Sequence, residues 1–128
     1  MSDFVALLQM NPRVGDLENN AKKLEKMIFL SKENGAKLAV SSELAISGYP
    51  PRDLLNNDEF LSKAKETTEQ VNSPIPSLIG IPLKSNENRH LPSNAVMRIE
   101  NGVNPLAHSG ESHIVARKIL LPTYDVFD

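Results

Sequence analysis

The chain has no cysteine among its 128 residues, so it carries no disulfide framework. No apolar stretch approaches the ~20 residues that a bilayer helix needs, which excludes a spanning helix of the usual kind. Charge of one sign is also missing. Lys and Arg number 14 against 16 Asp and Glu, for a formal net charge of -2. Only Lys22-Lys23 and Arg117-Lys118 are adjacent basic pairs, so there is no electrostatic footprint for a nucleic-acid backbone. Aromatic residues make up 5%, which leaves few platforms for stacked bases. The six glycines form neither a dinucleotide fingerprint nor a phosphate loop, so the sequence offers no direct site for ATP or NAD. His90, His108 and His113 have no cysteine or clustered carboxylate beside them. His108 and His113 also miss the i, i+4 spacing of a helical metal pair, so no metal is implied. The start has an acid, Asp3, and no basic run, unlike a secretory signal. With ordinary globular composition, the expectation is a single soluble domain in the cytoplasm.

What is present alternates between strand-like and helix-like segments, the pattern of an α/β fold. A first strand is expected over about Phe4 to Gln9, followed by a turn from Asn11-Pro12 to Asp16. Leu17, Ala21, Leu24, Ile28 and Ser31 recur at helical spacing, with Asp16 as cap and Gly35 as stop. Leu38 to Ser42 reads as a short buried strand, and Gly48 to Leu55 as a loop. Phe60, Ala64, Thr67 and Val71 predict a second helix opening near Asn57-Asp58. Leu78 to Leu83 predicts a third strand, followed by an exposed loop over 84–90. Asn94 to Ile99, a turn at Glu100-Asn101-Gly102 and a return near Val103 to Leu106 predict a hairpin. A loop over 108–112 then leads to an apolar run, Ile114 to Leu121.

Two residues stand out for chemistry. Glu43 lies where the apolar run Lys37-Leu38-Ala39-Val40-Ser41-Ser42 gives way to the turn-rich Gly48-Tyr49-Pro50-Pro51. Strand ends and the loops after them supply catalytic groups in open α/β folds, because the sheet fixes the backbone while the loop carries the side chain. Lys118 lies inside the last apolar run and is followed at once by Pro122-Thr123-Tyr124. An isolated glutamate at a strand end is more often a solvated residue, and an isolated lysine more often a surface one. A lysine flanked by apolar residues in a strand favours an inward, paired amine, and Glu43 is the evident partner.

The segments Glu43-Leu44 with Gly48-Tyr49-Pro50-Pro51-Arg52-Asp53-Leu54-Leu55, and Arg117-Lys118 with Leu121-Pro122-Thr123-Tyr124-Asp125-Val126-Phe127-Asp128, resemble the amidase domain of the glutamine-dependent NAD synthetases. These belong to the carbon-nitrogen hydrolase (nitrilase) superfamily. Phe4 to Asp16 also looks like the first strand and turn of that domain, and the resemblance covers essentially the whole chain. It implies part of a four-layer α-β-β-α sandwich, with residues 1–128 as the amino-terminal part of a glutaminase domain. Members of this superfamily use a glutamate, a lysine and a cysteine. The resemblance gives Glu43 the role of general base and Lys118 that of oxyanion stabiliser. It places Tyr124, six residues after the lysine, in a glutamine pocket. Tyr49 reads more readily as loop packing than as part of the pocket mouth.

The cysteine nucleophile follows the lysine in the family and is absent here, so the expectation is a fragment that by itself hydrolyses no glutamine. The implied partners are L-glutamine and the synthetase domain of a longer parent protein, with ATP and Mg²⁺ used only in that other domain. No cofactor is expected in these residues. Unpaired sheet edges and uncovered apolar faces would favour association, with a second copy or with the rest of the parent. Ser41-Ser42 stands where most members carry phenylalanine and proline, which puts in question how rigidly Glu43 is held. Likewise Pro92-Ser93 stands where a tyrosine commonly precedes asparagine and alanine. A stand-alone amidase or carbamoylase, and a short cysteine-free binding protein that keeps only the fold, are the competing readings.

Overall fold

The computed structural model describes residues 3–49, 52–84, 93–100 and 113–119; Arg52 and, except for Ile114, residues 113–119 are described by backbone alone. The elements are β1 (Val5–Leu8), α1 (Leu17–Glu33), β2 (Leu38–Ser41), a 3-10 turn (Arg52–Asn56), α2 (Asp58–Glu69), β3 (Ser77–Leu83), β4 (Ser93–Ile99) and β5 (His113–Ile119).

α1 begins and ends for local reasons. Asp16 caps it by accepting from the Asn19 backbone N–H at 3.4 Å and from Asn19 Nδ2 at 2.8 Å. That amide, with smaller help from Arg13 and Lys23, holds the Asp16 carboxyl below the usual carboxylate range. Leu17, Ala21, Leu24 and Ile28 form its buried stripe, and Gly35, at φ 92°, turns the chain out of the helix. In α2 the buried stripe is Leu61, Ala64 and Thr68, one position on from the expected Phe60 and Thr67. Asn57 is the cap and its Oδ1 accepts from the Phe60 N–H at 3.0 Å, which leaves Phe60 in the first turn, only half-buried. Residues 52–55, the second half of the expected loop, instead form the 3-10 turn with Asn56.

The strands join in sequence order, β1-β2-β3-β4-β5. β1, β2 and β3 are parallel, with α1 between the first two and α2 between the second two; β3-β4 and β4-β5 are antiparallel. The predicted return strand at 103–106 lies outside the described residues, and the strand that pairs with β4 is the lysine-bearing β5. The β4-β5 ladder slips once. Met97 faces Ile114 whereas Val96 faces Ala116, so one residue of β5, Val115, has no counterpart, a β-bulge.

Alternation sorts the sheet into two faces. Ala39, Ile79, Ile81, Ala95 and Met97 point to the side covered by α1 and α2 and form the core with Leu24 and Ile28. Each large side chain buried there contributes about 1.5–3 kcal/mol. The other side carries Val5, Leu7, Leu38, Val40, Leu78 and Val96, none of them fully buried. The described residues therefore make two layers, helices and one sheet, of the four that the resemblance implied.

Candidate active site

The Glu43 segment is a strained elbow resting on a glycine. At the end of β2 the Ser41 hydroxyl donates to the Ser42 carbonyl at 2.9 Å and accepts from the Gly80 N–H of β3 at 2.9 Å. The chain then passes over Gly80 so closely that a Cβ there would lie 2.5 Å from both the Leu44 nitrogen and the Ser42 oxygen. Only glycine fits beneath that crossing. Leu44, wholly buried, has φ 52°, in the left-handed region where a branched apolar side chain costs about 1–3 kcal/mol. The surroundings hold it there. The Ile46 N–H donates to the Gly80 carbonyl at 3.3 Å, and the Leu44 carbonyl accepts from the Gly48 N–H at 2.9 Å and from the Ser47 hydroxyl at 3.3 Å. The result is that Leu44 to Ser47 turn inward while Glu43 is left exposed. Ser41 in place of an apolar residue thus supplies a tie to β3 next to Glu43.

A buried amide clamps this elbow to the first turn. Asn20 of α1, fully buried, accepts from the Arg13 N–H at 2.8 Å and donates to the carbonyls of Arg13 and Ile46 at 2.8 and 3.0 Å. The Gly15 N–H adds a bond to the Ser47 carbonyl at 2.9 Å. Burying an amide is favourable only when its bonds are made, and these three are made to turn and elbow backbone outside the helices and the sheet ladder.

Glu43 has one hydrogen-bond partner among the described residues: Asn94 of β4, whose Nδ2 donates to Oε1. Asn94 is itself the register partner of Lys118 on β5. Residues directly opposite in an antiparallel pair occupy the same face, so position 118 belongs to the face that carries Asn94. The two residues singled out by sequence therefore converge, through an asparagine that sequence reasoning did not single out. Its signal was present: Asn is a poor strand former, and in Ser93-Asn94-Ala95-Val96 it takes a strand position with no propensity reason to be there. Tyr124 lies outside the described residues.

A cleft of about 300 Å³ opens beside the carboxylate, lined by Asn11, Pro12, Ser42, Glu43 and Tyr49. Tyr49, expected as loop packing, lines this cleft and is 40% exposed. A larger cleft of about 550 Å³ shares Asn11 and Pro12 but runs along the lysine face of α1, past Arg13, Lys22, Lys23 and Lys26. Ser42, Glu43 and Tyr49 are not among its lining residues. Among the described residues no group of three or more His, Asp or Glu side chains is placed to hold a metal ion, and no helix is long and apolar enough to cross a membrane.

The sequence of residues 4–126 matches the carbon-nitrogen hydrolase family. The chain is 33% identical over 124 residues to the glutamine-dependent NAD(+) synthetase of Synechocystis sp., covering 97% of this chain and 22% of that protein. It is 34% identical over 131 residues to the enzyme of the same name from Thermotoga maritima, covering 97% of this chain and 20% of the relative. It thus spans about a fifth of the length of these relatives. Among solved structures, the glutamine-dependent NAD+ synthetase of Acinetobacter baumannii superposes with a TM-score of 0.68 at 26% identity, over 97% of this chain and 22% of that one. An amidase from Nesterenkonia sp., at 17% identity and a TM-score of 0.68 over 96% of this chain and 44% of its own, shares the fold. The strained glutamate elbow on a parallel strand, the lysine strand brought across from it and the match over nearly the full length agree: the chain belongs to the carbon-nitrogen hydrolase family, with a nitrilase-type α/β fold.

Proposed function

We propose that these residues form part of the glutaminase of a glutamine-dependent NAD(+) synthetase, which releases ammonia from L-glutamine for the amidation of nicotinic acid adenine dinucleotide. The observation that carries the reading is the convergence of the exposed Glu43 carboxylate and the Lys118 position through Asn94. It is supported by relatives of that name at 33% and 34% identity. Glu43 takes the proton of the attacking thiol and returns one to the departing ammonia; Lys118 stabilises the oxyanion of the tetrahedral intermediate. With no cysteine in the 128 residues, the thiol is supplied from outside them. Tyr124 contributes to the glutamine pocket. ATP and Mg²⁺ act at the amidation step, away from this site. In the cell the chain works in the cytoplasm, joined to its synthetase domain, and associates with further copies of itself.

Ammonia release from glutamine by the polypeptide made from the natural gene, whose intact mass is measured alongside, tests the reading. Glu43→Gln and Lys118→Gln are expected to lower kcat at least about 100-fold each, the usual worth of a positioned base or an oxyanion contact. The 128 residues alone should release none. Wild-type turnover in either variant, or release by the 128-residue chain, would refute it.

A further inference from the structure

A carboxylate has two oxygens, and a general base uses one of them; something has to decide which. Oε1 of Glu43 accepts from Asn94 Nδ2, and among the described residues Oε2 has no partner. An asparagine Nδ2 is a donor only. That bond occupies one of the two lone pairs of Oε1, and a carbonyl oxygen accepts better than a hydroxyl, so the proton is favoured on the other oxygen. When the carboxyl is protonated on the other oxygen, Oε1 becomes the carbonyl of the acid and still accepts, so the bond lasts through both halves of a proton-transfer cycle. The amide carries no charge, so it orients the carboxylate through a hydrogen bond and not through an ion pair. Its own position is fixed by the sheet, since Asn94 pairs with Pro82 on one side and Lys118 on the other.

On the reading given above for Glu43, we propose that Asn94 is a positioning residue that holds the Glu43 carboxylate through Oε1 and so reserves Oε2 as the oxygen that exchanges protons with the nucleophile and the leaving ammonia. Because Asn94 is the register partner of Lys118, one residue of β4 stands beside both Glu43 and position 118.

The test uses the whole natural polypeptide and compares Asn94→Ala, Asn94→Asp, Glu43→Gln and the double variant Asn94→Ala with Glu43→Gln. Asn94→Ala should lower kcat about 10–100-fold, the usual cost of losing a group that orients a reacting one, with KM for glutamine within about twofold. Asn94→Asp, equal in size but an acceptor set against an anion, should lower it further. In the Glu43→Gln background the alanine change should add less than about twofold, since a residue acting through Glu43 has nothing left to orient. Independent losses that multiply, or an unchanged kcat in Asn94→Ala, would overturn the proposal. A readout apart from turnover separates this inference from the reading beneath it: the side-chain carboxyl ¹³C resonance of Glu43, recorded without substrate, should move in Asn94→Ala and stay in place in Asn19→Ala. If Glu43→Gln left turnover intact, the glutaminase reading would fall, while an unmoved Glu43 resonance would still defeat the contact itself.

Discussion

The two faces of the sheet are built from similar residues and meet different fates. Under α1 and α2, Ile79, Ile81, Ala95 and Met97 are at most 1% exposed; on the other side Val5 is 51% and Leu7 70% exposed. Composition did not decide this difference, since both faces are apolar. The helix-covered face fixes the fold, and the open face carries Asn94 and position 118, with the Glu43 elbow crossing it at Gly80. The candidate site thus sits on the side that this chain's own helices leave alone.

Substitutions that break the contrast come in a definite order. Gly80 belongs to the open face by register, opposite Val96. If that face were plain solvent at Gly80, alanine there would be neutral or would stabilise by about 0.5–1 kcal/mol, because glycine is the costlier residue in a strand. The elbow reverses the sign. With backbone atoms 2.5 Å from the added Cβ, Gly80→Ala should destabilise by about 3 kcal/mol in urea unfolding, the upper end of the usual cost of overpacking. A neutral result would mean that the elbow does not rest on β3. On the covered face, Ile79→Val removes one methylene from a full core and should cost about 1 kcal/mol in the same experiment. Leu7→Ser, on the open face, should change the stability of the 128-residue chain by less than about 0.5 kcal/mol. A loss near 2 kcal/mol would instead show that another layer covers Leu7.

Sequence reading went furthest where local physics decides the outcome. The Asp16 cap, the stripe from Leu17 to Ile28 and the Gly35 stop each depend on neighbours within a turn or two, and α1 follows them closely. Glu43 and Lys118 were visible because a polar group beside an apolar run is costly without a reason. What was not legible depends on residues far apart in the chain. Asn20 bonds to Ile46, 26 positions away, and Gly80 meets an elbow some 36 positions before it. Asn94 reaches Glu43 across 51 positions. Nor does residue type alone reveal a left-handed Leu44, since leucine there is justified only by the contacts around it.

The bulge in β5 has a consequence for which basic residue stands opposite Asn94. Were Val115 paired like its neighbours, each later residue of β5 would slide by one: Arg117 would stand across from Asn94, and Lys118 would pair with Ser93 on the helix side. The two residues are adjacent in sequence and equal in charge, but a guanidinium stays protonated and splays five donors in a plane, whereas an ammonium is a compact point charge. One unpaired residue two to three positions earlier therefore decides which of the two stands across from Asn94, and a single-residue deletion over 113–116 would exchange them without altering either side chain.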